Sequence, residues 1–62
     1  MTRFEYVLCR LAHGEALTVA LREEGLPLET FIRALKLDTN KRSFAMCVAQ
    51  GREVVAMRAK KV

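Results

Sequence analysis

Several residue types that would define a function are scarce in this chain. Its 62 residues contain one proline, three glycines, one histidine and two cysteines. With so few helix breakers and 52% hydrophobic residues, the chain is not expected to be disordered. At this length we expect a single domain, residues 1–62, that buries only about 60% of its unfolded surface and is marginally stable alone. The high apolar content therefore favours self-association.

Metal-ligand sets and catalytic groupings are missing as well. A structural zinc ion needs four nitrogen or sulfur ligands, and the chain offers only Cys9, Cys47 and His13. The histidine has no nucleophile near it in sequence, no glycine-rich phosphate loop is present, and the carboxylates are scattered singly. We expect no metal, no cofactor and no enzymatic activity. Both cysteines fall on apolar helix faces, so we expect buried free thiols, with a disulfide as the alternative.

Long apolar runs are also absent. No stretch approaches the roughly 18 residues that a membrane-spanning helix needs, and no signal-peptide pattern opens the chain. The sequence predicts a soluble cytoplasmic protein without internal repeats or linkers. Its 11 Lys and Arg outnumber its 7 Asp and Glu, for a net charge of +4. This balance favours a polyanionic partner.

What the chain does contain is helical periodicity. Apolar residues three and four positions apart predict amphipathic helices at about 3–13, 15–24 and 28–37. Thr2 can cap the first helix, and Gly14 ends it. The predicted apolar faces consist of Phe4, Val7, Leu8 and Leu11 in the first helix, Leu17, Ala20 and Leu21 in the second, and Leu28, Phe31, Ile32 and Leu35 in the third.

The C-terminal third has two interpretations. A helix over 40–60 places Phe44 and Gly51 on one apolar face, and the resulting fold is all-α, a helix-turn-helix bundle of three short helices plus a longer C-terminal helix. Alternatively, 44–58 forms a β-hairpin in an α+β, winged-helix-like domain, since valines favour strands and Gly51 costs a helix interior about 1 kcal/mol relative to Ala. Composition leaves both open. The candidate N-caps of the helix are Asp38, Thr39 and Asn40.

The segment EGLP, residues 24–27, connects the second and third helices. Two short helices joined in this way have the layout of a helix-turn-helix unit. Gly25 can adopt the positive φ that the turn requires, Leu26 can fill the gap between the helices, and Pro27 is compatible with helix initiation. The third helix should therefore leave the second at a steep angle, with its outer face free to enter a major groove.

On that outer face the candidate base contacts are Glu29, Thr30, Arg33 and Lys36. A guanidinium such as that of Arg33 can bond guanine O6 and N7 together, threonine can touch a base edge, and a glutamate can accept from a cytosine amino group. Candidate phosphate contacts are Arg22, Lys41, Arg42 and Arg52, with Arg58, Lys60 and Lys61 as weaker ones.

Lys41 and Arg42 are especially informative in this interpretation. They occupy the first turn of the helix predicted at 40–60, where positive charge opposes the helix dipole. Phosphate contact would explain this unfavourable position.

Three motifs follow one another at short separations: GEAL at 14–17, EGLP at 24–27 and TFIRAL at 30–35. This order resembles the N-terminal DNA-binding domain of phage terminase small subunits, with its Gly-Glu-Ser-Leu, Glu-Gly-Leu-Pro and Thr-Val-x-Arg-Trp-Leu segments. The likeness continues from Phe44 to Glu53, which implies a C-terminal helix. It also implies a phage or prophage protein that binds double-stranded DNA, as a dimer or higher oligomer in the bacterial host cytoplasm, in genome packaging or phage gene regulation.

A second function remains open beside DNA binding. The same scaffold suits a small phage-encoded interaction module that binds and inhibits a host protein. The 52% hydrophobic content motivates this alternative.

Overall fold

A computed structural model describes residues 1–60 of the chain. It contains four helices: α1 (Arg3–Ala12), α2 (Leu17–Glu24), α3 (Leu28–Ala34) and α4 (Asp38–Ala59). No strand forms within residues 1–60, which confirms the all-α prediction, and the hairpin alternative at 44–58 is wrong because α4 runs through it. None of the helices in this part of the chain is long and apolar enough to cross a membrane.

Local signals set both ends of α1. The Thr2 hydroxyl accepts from the Glu5 N–H at 3.3 Å, and the Glu5 carboxylate accepts from the Thr2 N–H at 3.2 Å. This capping box satisfies two backbone donors that the helix itself leaves free. At the other end, Gly14 takes a φ of +99°. The predicted cap and stop are therefore confirmed.

The α2–α3 turn has the glycine geometry that the sequence predicts. Gly25 is left-handed, with φ +64° and ψ +32°. The Leu26 N–H donates to the Leu21 carbonyl at 2.9 Å, which is the hydrogen bond of a Schellman motif that spans more residues. The Leu26 side chain packs against the core. Pro27 immediately precedes α3 in an extended conformation.

A small apolar core holds the helices together. Its buried members are Val7, Leu8, Leu11, Ala20, Leu21 and Phe31. Phe31 is 1% exposed, and its ring centroid lies 5.2 Å from that of Phe4 and 5.5 Å from that of Phe44. Because these rings belong to three different helices, Phe31 attaches α3 to both α1 and α4.

Further along, α1 and α4 meet at what we call the seam, the contact between Leu11 and Gly51. Gly51 is buried in the middle of α4, and a Cβ atom added there would overlap the Leu11 carbonyl oxygen. The glycine that is unfavourable for an isolated helix is thus the residue that permits this close approach. Phe4 and Phe44 both contact the Phe31 ring, and seven residues later in each helix Leu11 and Gly51 meet at the seam. The two helices therefore run in the same general direction.

The start of α4 differs from the prediction. The helix begins at Asp38, and Leu37 occupies the N-cap position without a side-chain cap bond, so the proposed N-caps Asp38, Thr39 and Asn40 are wrong. Asn40 has another role: its Nδ2 donates to the Ala34 carbonyl at 2.8 Å. This bond satisfies a carbonyl at the end of α3, which stops three residues before the predicted limit at 37.

Not every predicted apolar face is covered. In α3, Phe31 is buried and Leu35 packs against the core, but Leu28 and Ile32 are 54% and 51% exposed. An α3 of seven residues docks through a narrow face, so the flank that carries Leu28 and Ile32 stays in solvent.

The cysteines also depart in part from expectation. Both thiols are free, and Cys47 is partly buried among core residues, but Cys9 is exposed. Successive helix residues are about 100° apart, which rotates Cys9 away from the stripe that contains Val7 and Leu11. Its predicted burial is therefore wrong.

Candidate nucleic-acid interface

The four predicted base-facing residues are all exposed. Glu29, Thr30 and Arg33 lie in α3, so these three side chains project from one helix. Lys36 does not, because α3 ends at Ala34, and the lysine lies in the turn that leads to α4. The candidate interface thus consists of one short helix and the turn after it.

The four predicted phosphate-binding residues are exposed too, but they do not form one group. Arg22 lies in the last turn of α2, and Lys41 and Arg42 lie in α4 just after the α3–α4 turn. Arg52 is ten positions beyond Arg42, which corresponds to about 15 Å along the helix axis. It therefore lies well away from Lys41 and Arg42 along α4. Of the weaker candidates, Arg58 and Lys60 are exposed, and Lys61 lies outside the described residues.

The dipole argument for Lys41 and Arg42 is wrong. Because α4 starts at Asp38, these two residues belong to its second turn, and an aspartate occupies the first. The effect of the dipole on side-chain charge fades beyond the first turn. Their position is thus ordinary for a helix and gives no separate indication of phosphate.

A charged cluster that sequence reasoning missed joins α1 to the end of α2 and to the turn between these two helices. Arg10 donates from Nε to Glu24 Oε2 at 2.6 Å and from Nη1 to Glu15 Oε1 at 3.2 Å. The hydrogen bond with Glu24 raises the pKa of Arg10 above its ordinary value, and Glu15 raises it further against a partial loss of solvation. Glu15 was expected to open the second helix, but α2 begins only at Leu17, which leaves Glu15 in the preceding turn. No periodicity joins Arg10 to Glu24, fourteen positions away.

This cluster changes how the net charge is distributed. Arg10 with its two glutamates carries −1, so the other ten Lys and Arg face only five carboxylates, a balance of +5. Within residues 1–60, Arg10 makes both of the ion pairs. The cations of the candidate interface are therefore free to meet an external anion.

The surface beside Arg33 is not purely polar. Leu28 and Ile32 lie one turn apart on the flank of α3, each about half exposed. The outer surface of α3 is thus a mixed one, with charge along its centre and apolar side chains along one edge. Such an edge can meet a thymine methyl group or another protein.

No protein-family model, curated protein or solved structure matches this chain. Residues 1–60 bring together no group of three His, Cys, Asp or Glu side chains that could hold a metal ion.

Proposed function

We propose that this chain is a small phage-type helix-turn-helix protein that binds duplex DNA with the outer face of α3. The observation that carries the proposal is Arg33, an exposed guanidinium without an ion pair in residues 1–60, on the helix after a left-handed glycine turn. Glu29 and Thr30 are exposed on the same helix. A guanidinium in the major groove reads guanine through two parallel hydrogen bonds.

Phosphate contacts would come from Arg22, Lys41 and Arg42, which lie on the helices adjacent to α3. Neutralising backbone phosphates releases counterions, so this part of the affinity is independent of sequence and depends on salt. The resemblance supports a place in genome packaging or phage gene regulation, in the cytoplasm of a bacterial host, with the protein acting as a dimer or higher oligomer.

Fluorescence anisotropy with labelled duplexes at two salt concentrations tests the proposal. Wild-type affinity should fall steeply as salt rises. Arg33→Ala should lose about 1–3 kcal/mol of discrimination at one base pair, whereas Lys41→Ala should weaken binding to every duplex alike. Arg3→Ala, the same charge change at an exposed residue of α1, is the matched control. Absence of duplex binding at low salt, or equal effects of Arg3→Ala and Arg33→Ala, would refute DNA reading by α3.

The exposed flank of α3 favours a second candidate, an interaction module for a host protein. Leu28 and Ile32 are separated by one helical turn, the spacing at which a helix presents anchors to an apolar groove. Half-exposed aliphatic residues on a seven-residue helix contribute little to this fold, and their burial in a complex would be favourable.

Pull-down from a nuclease-treated bacterial lysate separates the two functions. A host protein bound by α3 should be retained by Arg33→Ala and Arg42→Ala variants and lost by the Leu28→Ser, Ile32→Ser double variant. That double variant should keep its circular dichroism spectrum, because both side chains are half exposed. Recovery of DNA alone before nuclease treatment, and of nothing after it, would exclude the interaction module.

A further inference from the structure

An apolar cleft lies between the middle of α4 and the turn from α1 to α2. Its volume is about 430 Å³. Leu11 and Leu17 line one side, and Phe44, Val48 and Val55 of α4 line the other. One of these lining residues, Val55, is 50% exposed, so the cleft opens to solvent.

The cleft exists because α4 continues past the helices that cover it. Gly51 is the last buried residue of α4 in the described chain, and every residue from 55 to 60 is exposed. Gly14 and Gly51 add no side chains at the point where α1 ends, and a Cβ on Gly14 would already lie 3.1 Å from the Val55 side chain. The far half of α4 therefore projects with one apolar edge beside the cleft.

The exposed area is larger than a compact chain of this size requires. The usual scaling of surface with mass gives about 4,000 Å² for a monomer of 7.0 kDa, and this chain exposes 4835 Å². The excess of about 800 Å² is similar in size to the area that one partner buries in a standard protein–protein interface.

We propose that a second copy of the chain fills the cleft, and that the projecting half of α4 from each copy packs into the cleft of the other. The same patch then serves both copies, as a two-fold dimer requires. The charges at the cleft agree with this arrangement, since Glu15 lines the α1–α2 side and Arg52 lies on α4. A two-fold axis brings Arg52 of each copy towards Glu15 of the other.

These two charges are able to pair in that way. Arg52 has no ion pair within residues 1–60, and Glu15 bonds only to Arg10 there. A carboxylate has about four acceptor positions, so Glu15 can accept from a second guanidinium. One charge of each sign suits a self-complementary contact better than a small ligand of a single charge. The inference rests on the proposed function, which gives the protein as a dimer or higher oligomer, but the interface can be tested without DNA.

Sedimentation equilibrium from about 5 to 500 µM protein, a range that resolves micromolar dimers, provides the test. We expect wild-type protein to approach twice the 7.0 kDa chain mass. Val55→Lys should weaken the dimer at least about tenfold, because it buries an unpaired charge. Met46→Lys is the matched control: this residue is 72% exposed on another side of α4 and should leave the dimer intact. Ala56→Lys, at an exposed cleft residue, replaces Val55→Lys if circular dichroism shows that variant to be unfolded.

Three results would overturn the inference: a wild-type protein that stays monomeric at the highest concentration, a dimer unaffected by the cleft variants, or a dimer that Met46→Lys weakens as much. Anisotropy with a short duplex keeps this outcome separate from the proposed function. If only the dimer is wrong, monomeric protein binds DNA and Val55→Lys binds equally. If only DNA binding is wrong, the dimer forms and no duplex binds.

Discussion

The seam between α1 and α4 and the outer face of α3 are built in opposite ways. At the seam, the backbone of Leu11 lies so close to Gly51 that no side chain fits between the helices. On the outer face of α3, Arg33 and Ile32 are exposed to solvent, and the opposite face of the helix packs on the core through the buried ring of Phe31. Substitutions at the seam should therefore change folding, and substitutions on the outer face should change binding.

The largest expected effect is at the seam. Gly51→Ala places a methyl group against the Leu11 carbonyl, which is backbone and has little freedom to move. We expect a net loss of about 2 kcal/mol in the free energy of unfolding, because an overpacking cost of about 3 kcal/mol is partly offset by the roughly 1 kcal/mol that alanine gains over glycine in a helix interior. Urea unfolding followed by circular dichroism measures it. Gln50→Ala, an exposed neighbour, should stay within about 0.5 kcal/mol of wild type. A fully stable Gly51→Ala protein would show that α1 and α4 do not meet here.

A smaller loss is expected at the turn that leads to α3. Gly25→Ala must keep a φ of +64°, but its Cβ would meet no atom within 4 Å. The cost is then backbone strain alone, about 1–2 kcal/mol. Gly25→Asn should cost less, because asparagine tolerates the left-handed region better. The same urea titration distinguishes these variants, and equal stability for all three proteins would contradict a left-handed turn.

Arg10 and Arg33 allow a direct comparison of an arginine that is paired within the fold with one that has no ion pair in residues 1–60. Arg10→Met breaks both ion pairs of the α1–α2 cluster, whereas Arg33→Met breaks none within residues 1–60. We expect Arg10→Met to lower the melting temperature more, with the difference shrinking at high salt, and Arg33→Met to weaken duplex binding more. Thermal denaturation gives the melting temperature of each variant, and fluorescence anisotropy gives its affinity for a duplex. The distinction between a structural and a binding arginine would be contradicted if Arg33→Met lowered the melting temperature more, or if Arg10→Met weakened duplex binding more.

The smallest effect concerns the two thiols and leaves the fold unchanged. Burial raises the pKa of Cys47 above its ordinary value, and the charge of Cys9 raises it further. Since the thiolate is the reactive form, a raised pKa lowers the reactive fraction of Cys47 at any pH below it. Exposed Cys9 should therefore react faster with iodoacetamide in folded protein, as followed by mass spectrometry on Cys9→Ser and Cys47→Ser variants. Urea should abolish the difference, and equal rates in the folded state would argue against burial of Cys47.

Features set by neighbours in sequence were predictable. The Thr2 cap, the stop at Gly14 and the left-handed Gly25 each depend on one residue and the few around it, and all three are confirmed. The outward position of Arg33 also follows from helical spacing within α3. Longer-range features were not predictable: the bond between Arg10 and Glu24 joins residues that no local pattern relates.

The amino-acid sequence by itself determined that the chain is helical through its first three elements and which side chains share a face, because the pitch of a helix fixes both. Tertiary structure alone decided which of those faces are covered. Leu28 and Ile32 match the apolar pattern but remain exposed, because α3 docks through Phe31 and Leu35. In the sequence, Gly51 is compatible with a hairpin as well as with a helix. Only the tertiary contact with the Leu11 carbonyl explains a glycine in the middle of α4. Periodicity is a local property, whereas burial depends on what the rest of the chain places opposite each face.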